Sequence, residues 1–365
     1  MSHELYLADA LALLKELIAT PSVSRDETAA ADVLARHMEG YGIKYTREGN
    51  NIWALSPDFA PERETILLNA HIDTVKPVGS WTRDPFTPTL ESDRLYGLGA
   101  NDCGGGLVSL LQAFRILTGP ETQKLKNSET QELKNYIFLA SCEEEVSGQN
   151  GIVRALPLLP HIDVAIVGEP TGMQPAVAEK GLMVIDMTAH GRSGHAARAE
   201  GVNAIYEMLD DLLWIRDYRF PKVSPLLGPT LMQATVVNAG TQHNVVPDTC
   251  QAIIDVRTNE LYTNEEVFEI IRANVKSDVK ARSFRLHSSS IALDHPLIKK
   301  LDEMGKKPFG SPTLSDQALM PFPSFKMGPG DSARSHSADE FICVSEIGKA
   351  IEEYVKLLDP LNPPV

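Results

Sequence analysis

The chain has 365 residues, 43% apolar and 23% charged, enough for a sizeable core and more than one compact core usually holds. With 34 Lys and Arg against 49 Asp and Glu, the formal charge is −15, which argues against nucleic acid and anionic membrane as partners. Cys103, Cys142, Cys250 and Cys343 lie far apart with no CxxC pair, so neither a disulfide framework nor a zinc–thiolate site is expected, and reduced thiols fit a cytoplasmic location.

The first 20 residues carry acids among their apolar positions and lack the basic region and continuous apolar run of a signal peptide. No stretch reaches the length of a transmembrane helix. Leu7, Leu11, Leu14 and Ile18 share one helical face, which predicts a helix over 7–18. A second helix is expected over 27–38, ending at Gly40, followed by short strands at 43–46 and 52–55. Residues 65–68, 136–140 and 164–167 read as buried strands, with helices at 106–117 and 150–156. Buried strands alternating with helices imply an α/β sheet covered on both faces. The polar stretch 119–134 reads as an exposed loop or a helix tail without chemistry.

The middle changes character. Strands at 182–189, 230–238, 249–257 and 283–287 interleave with helices at 201–218 and 264–275, the β-α-β-β-α-β order of a ferredoxin-like domain. This predicts an inserted domain over 177–290, with 1–176 and 291–365 forming the first.

The placement of polar residues is the informative feature. His71 and Asp73 follow the strand at 65–68, Glu143, Glu144 and Glu145 follow 136–140, and Glu169 follows 164–167. Ligands of open α/β sheets bind beyond the carboxyl ends of the strands. Asp102 joins them from a glycine-rich loop that enters a helix. Taken singly, a run of three glutamates reads as a solvated face, His71 as a structural histidine and Gly104-Gly105-Gly106 as a relaxed turn. Recurrence at one end of successive strands weakens those readings. Carboxylates gathered there stay ionised together only beside a cation, and imidazole with carboxylate suits zinc, held as a pair if one acid bridges.

Several segments in chain order resemble the M20 family of metallopeptidases and deacylases. They are Ala70-His71-Ile72-Asp73-Thr74-Val75, Gly97-Leu98-Gly99-Ala100-Asn101-Asp102, Cys142-Glu143-Glu144-Glu145-Val146, Gly168-Glu169-Pro170-Thr171 and Arg334-Ser335-His336-Ser337-Ala338-Asp339-Glu340. The resemblance implies a zinc-dependent exopeptidase-like α/β/α catalytic domain with an inserted α+β lid that dimerises. It implies two Zn²⁺ per subunit, with Co²⁺ as a substitute. Asp102 would bridge, His71 and Glu169 would complete one site, and Glu145 and His336 the other. Asp73 would orient His71 and Glu144 would be the general base toward metal-bound water, while Glu143 supports the loop. His195 in Gly191-Arg192-Ser193-Gly194-His195 would polarise the scissile carbonyl. The usual Pro after that His is absent, Ala199 lies nearby, and the spacing to Gly201 is one residue shorter. Asn244, Arg257 and Gly328 match positions that hold the substrate's α-carboxylate; on spacing alone Arg257 is equally a surface Arg on a strand. Lys180 reads as a hinge charge.

By the same resemblance, the expected substrate is a small N-acyl amino acid, N2-acetyl-ornithine or a related acetyl or succinyl ornithine or citrulline of arginine biosynthesis. Succinyl-diaminopimelate, or a dipeptide or peptide C-terminus, is the alternative. A serine hydrolase using Ser332 or Ser193 is disfavoured because no G-x-S-x-G elbow occurs. A non-catalytic protein on a degenerate enzyme fold is disfavoured by the retained Glu144.

Overall fold

The computed structural model describes residues 3–120, 133–198 and 200–359. Most of the polar stretch 119–134, and Ala199, lie outside the described residues. The chain divides into two compact units, one of Met1–Val177, Ile291–Phe309 and Ser315–Val365, the other of Ala178–Ser290 and Gly310–Leu314.

In the first unit, Asn135–Ser141, Thr65–His71, Val164–Val167 and Ser324–Lys326 are continuous runs of buried residues, as strands covered on both faces require. They pair in that order, all parallel. Asn51–Leu55 and then Thr46–Glu48 extend one side antiparallel, and Ala176–Glu179 extends the other. Helix Gly105–Leu117 packs on the two longest strands and against helices His3–Ile18 and Val344–Leu358. It is buried almost all round, as a helix between a sheet and two other helices must be. On the opposite face Leu67, Ile137, Leu139 and Ala165 pack with Ile152, Ala155 and Ile162. A small antiparallel sheet pairs Phe341–Cys343 with Arg94–Tyr96, and Arg94–Tyr96 with Thr89–Glu91.

The second unit has an antiparallel sheet in the order Leu231–Ala239, Thr249–Arg257, Met183–His190, Asp278–Ala281. With helices Ala204–Asp217 and Asn264–Asn274, this is the ferredoxin-like order. Met183, Ile185, Met187 and Ala189 alternate inward and meet Cys250, Ala252, Ile254 and Val256. Asn203 caps the first helix by accepting from the Ile205 amide, and Thr263 with Glu266 forms a capping box on the second. Leu231–Ala239 lies at the sheet's edge with Val236 and Val237 exposed, while helix Ala204–Asp217 exposes Ile205, Tyr206, Leu209 and Leu213.

Several expectations are corrected. The fourth strand is Asp278–Ala281, and 283–287 is irregular. Phe284 there packs edge-on against Phe268 without strand pairing, and the Asn264 side-chain amide donates to the Phe284 and Leu286 carbonyls. Of 43–46 only Thr46 enters a strand, and the helix expected over 150–156 is one turn, Ile152–Ala155, continued by a 3₁₀ turn with Pro157 at its start. Gly310–Leu314 belongs with the second unit, where a Cβ on Gly310 would lie 2.3 Å from the Leu226 carbonyl oxygen. Among the described residues no helix is long and apolar enough to cross a membrane.

Ile254 is fully buried in the second unit's core. Ile254→Ala is expected to cost about 2–5 kcal/mol, read as a lower denaturant midpoint for that unit in chemical unfolding.

Candidate metal centre

His71 is the last residue of its strand and is 2% exposed. Its Nδ1–H donates to the Asp73 carbonyl oxygen at 2.8 Å, so a proton is fixed there and Nε2 is the atom turned to the cluster. Nε2 lies 3.2 Å from Asp102 Oδ1, 3.6 Å from Glu169 Oε1 and 4.0 Å from Glu144 Oε2. The other Asp102 oxygen, Oδ2, lies 3.5 Å from His336 Nε2, which is 2.9 Å from Glu145 Oε2. One carboxylate is therefore divided between two imidazoles from distant segments, each with a further glutamate beside it. Donor atoms of His71, Asp102 and Glu145 all lie within 4.8 Å of one another, as do those of His71, Cys103 and Glu169. The Cys103 thiol donates to the Gly168 carbonyl at 3.0 Å, and burial holds it protonated well above its usual range.

The electrostatics describe a site short of positive charge. Burial and the neighbouring Asp102 push Glu169 to about 8, and its Oε1 is a buried oxygen without a hydrogen-bond partner. Burial likewise holds Glu144 well above the carboxylate range, helped by Glu169, Asp316 and Glu145 and opposed by His71. His71 shifts upward although burial alone would lower it, because Asp102 and Asp73 favour the imidazolium. His336 rises to about 9, chiefly through its hydrogen bond to Glu145. Divalent cations among these donors would satisfy the orphaned Glu169 oxygen and neutralise the carboxylates. Nitrogen and oxygen donors of this kind suit zinc.

Other buried carboxylates hold the loops that carry these donors. The Asp73 carboxylate meets both His71 and the loop that carries Glu144 and Glu145. It lies 3.5 Å from His71 Nδ1 and accepts the amides of Glu144 and Glu145 at 3.0 and 3.2 Å and the Ser24 hydroxyl at 2.7 Å. Glu143, in the left-handed region at φ 54°, turns away and takes the Asn150 amide and side chain. Sequence reading missed two acids. Glu340, at the end of the His336 motif, accepts the amides of Gly99, Asn101 and Asp102 at 3.2, 2.8 and 2.9 Å. An acid directly before the short apolar run Phe341-Ile342-Cys343 was the signal available for it. Asp316 takes the Ser141 hydroxyl at 2.6 Å behind the sheet end, and burial lifts it to about 7. It lies in a 3₁₀ turn with no sequence periodicity to mark it.

The sequence signature of peptidase family M20/M25/M40 matches residues 67–359. The chain belongs to that family. It is 28% identical to the acetylornithine deacetylase of Proteus mirabilis (strain HI4320), over 95% of this chain and 95% of that protein. It shares the fold of an M20 family metallo-carboxypeptidase, Sso-CP2, from Sulfolobus solfataricus, with a TM-score of 0.72 and 19% identity over 98% and 99% of the two chains. It also shares the fold of the Bacillus subtilis YXEP protein, a dinuclear metal binding peptidase of the M20 family, with a TM-score of 0.70 and 17% identity over 99% and 100%.

Within this M20 hydrolase, the expected substrate residues fall on different elements. His195 and Asn244 are brought together in the second unit, where the Ala196 amide donates to the Asn244 carbonyl at 3.1 Å and His195 pairs with Val245. His195 Nδ1 accepts the Ala197 amide at 3.2 Å, which leaves the ring proton on Nε2 as a donor. Arg257, in the same unit, is already paired: its guanidinium grips the Asp255 carboxylate at 2.7 and 3.1 Å. Lys180 donates to the Pro229 carbonyl at 3.0 Å. Gly328 lies in the first unit, with its N–H donated to Thr171 Oγ1 at 3.2 Å. A Cβ there would sit 2.2 Å from the Gly168 carbonyl oxygen, and one on Gly106 would sit 1.8 Å from the same atom. The two glycines thus let a loop and a helix close on the segment that ends in Glu169.

Asp73→Ala would orphan two amides of the Glu144–Glu145 turn. The metal-free variant is expected to lose about 1–3 kcal/mol in thermal or denaturant unfolding, and equilibrium dialysis should show weaker metal uptake than for wild type.

Proposed function

We propose that this protein is a metal-dependent amidohydrolase that cleaves the amide bond of an N-acyl amino acid. The observation that carries this reading is Asp102, with its two oxygens turned to His71 and His336, and the Glu144 carboxylate 4.0 Å from His71. His71, Asp102, Glu145, Glu169 and His336 would hold two zinc ions, or cobalt in their place, and these supply charge neutralisation and carbonyl polarisation when bound. Glu144 takes a proton from the attacking water as its oxygen bonds to the carbonyl carbon, then delivers that proton to the amine nitrogen as the C–N bond breaks. Its burial suits this role, because the base then works on a water held apart from bulk solvent. His195, with its Nε2 proton, donates to the carbonyl oxygen as charge develops there. Asn244 is assigned to the substrate's α-carboxylate. Arg257 serves it after exchanging Asp255 as partner, and Gly328 supports the Glu169 segment.

Similarity over nearly the full length to an acetylornithine deacetylase supports N2-acetyl-ornithine, or a related acetyl or succinyl ornithine or citrulline in arginine biosynthesis. Succinyl-diaminopimelate desuccinylation, or a dipeptidase or carboxypeptidase activity on the same centre, is the second reading, favoured by the fold shared with the Sulfolobus enzyme. The exposed apolar side chains on helix Ala204–Asp217, beside an open sheet edge, support a homodimer through the second unit. Four free cysteines fit the cytoplasm.

A turnover panel of N-acetyl and N-succinyl ornithine, citrulline, lysine and diaminopimelate, beside simple dipeptides, discriminates the substrates. Activity should vanish on chelation and return with zinc. Glu144→Gln should retain metal and lose about 10²–10⁴-fold in turnover. Near wild-type turnover in that variant would overturn the base assignment.

A further inference from the structure

The loops bearing Asp102 and His336 bond to each other from both sides, using groups that are not donors to the cluster. From the Asp102 side, the Asn101 side chain accepts the Asp331 amide at 3.0 Å through Oδ1. Its Nδ2 donates to the Asp331 carbonyl at 3.1 Å and the Ser335 hydroxyl at 3.2 Å. From the His336 side, Glu340 accepts three amides of the turn that contains Asp102, including that of Asp102 itself. The Glu340 carbonyl also accepts the Gly97 amide at 3.0 Å, where Phe341–Cys343 begins to pair with Arg94–Tyr96. Both side chains are sealed from water, Asn101 at 0% and Glu340 at 2% exposed. Burying a carboxylate is unfavourable unless its oxygens are taken, and here Oε1 takes two amides and Oε2 one. The result is a reciprocal clasp that fixes the bridging carboxylate and His336 in one frame. His336 needs such a frame, since its side chain is 55% exposed and its backbone is held at φ 56°.

We propose that Glu340, with Asn101, is a positioning residue that sets the affinity of the metal centre by holding Asp102 and His336 in register before a cation arrives. This rests on the ligand assignment given above. Glu340→Gln keeps the size and one acceptor oxygen but turns an N–H₂ toward amides that require an acceptor. Its effect should therefore appear as weaker metal binding rather than as a changed substrate KM. Loss of a group that orients a ligand weakens metal binding on the order of 10–100-fold.

The test is a zinc titration of chelator-stripped full-length protein against a chromophoric competitor. It compares wild type, Glu340→Gln, Asn101→Ala and His336→Ala, with Asp211→Asn as a control. Asp211 accepts the Lys276 and Ser277 amides in the second unit, so that variant loses a comparable buried acceptor away from the centre. The expected result is a Kd raised about 10–100-fold in Glu340→Gln and Asn101→Ala, with Asp211→Asn binding like wild type. At saturating zinc, kcat should recover substantially in Glu340→Gln with KM unchanged. Wild-type zinc affinity in Glu340→Gln, while His336→Ala binds weakly, would overturn the positioning role and leave the ligand set standing. Wild-type affinity in His336→Ala as well would overturn both. Should Glu340→Gln fail to fold, Asn101→Ala decides: weakened binding there supports the clasp and unchanged binding overturns it.

Discussion

Asp102, Glu144, Glu145 and Glu169 converge where parallel strands end, and their mutual repulsion governs the surroundings. Two like unit charges about 4 Å apart repel by about 4 kcal/mol at an effective dielectric of 20. Without a cation the cluster relieves this by drawing protons: Glu169 rises to about 8 and His336 to about 9. The supporting residues act on the same problem from outside. Asp73 and Glu340 spend their own charge on backbone amides, so each stiffens a donor-bearing turn while its negative charge is met by local dipoles. Crowded negative charge and rigid scaffolding make one arrangement, because a site held this way cannot relax by spreading apart.

What was legible in the sequence follows from how each feature is encoded. The four-residue apolar run Val164–Val167 is a strand of those bounds, and Thr249–Arg257 alternates as read, because burial on one or both faces leaves a period in the sequence. The strand at Asp278–Ala281 was not legible, since an acid and a lysine occupy a half-covered edge where packing leaves no pattern. The donors were legible because they fall at the ends of buried strands or within a few residues of them, or in a motif. Glu340 and Asp316 were not, because their partners are backbone amides and a serine from remote segments, and an acid's partners leave no trace in its neighbours. Asp73 was legible beside His71 because it follows the same strand, whereas its bonds to the Glu144 and Glu145 amides, from a remote segment, left no sign in the spacing.

On the proposed assignment, chemistry and recognition are built on different supports. The donors stand on strand ends and clasped turns of the first unit, all but His336 buried or nearly so. His195 and Asn244 stand on short exposed pairings of the second, with Arg257 tied to its neighbour Asp255. Groups that must not move are overdetermined by hydrogen bonds, as the clasped turns of the first unit are.

The Gly168 carbonyl is approached from two directions, by helix Gly105–Leu117 at Gly106 and by the loop after Ser324–Lys326 at Gly328. Neither position has room for even a methyl group. Any sequence drift there pushes directly on the peptide leading into Glu169, so these sites are closed to gradual variation. The glycine contact therefore acts as a depth stop: helix and loop meet the same carbonyl oxygen, and their closeness fixes where the segment leading into Glu169 lies.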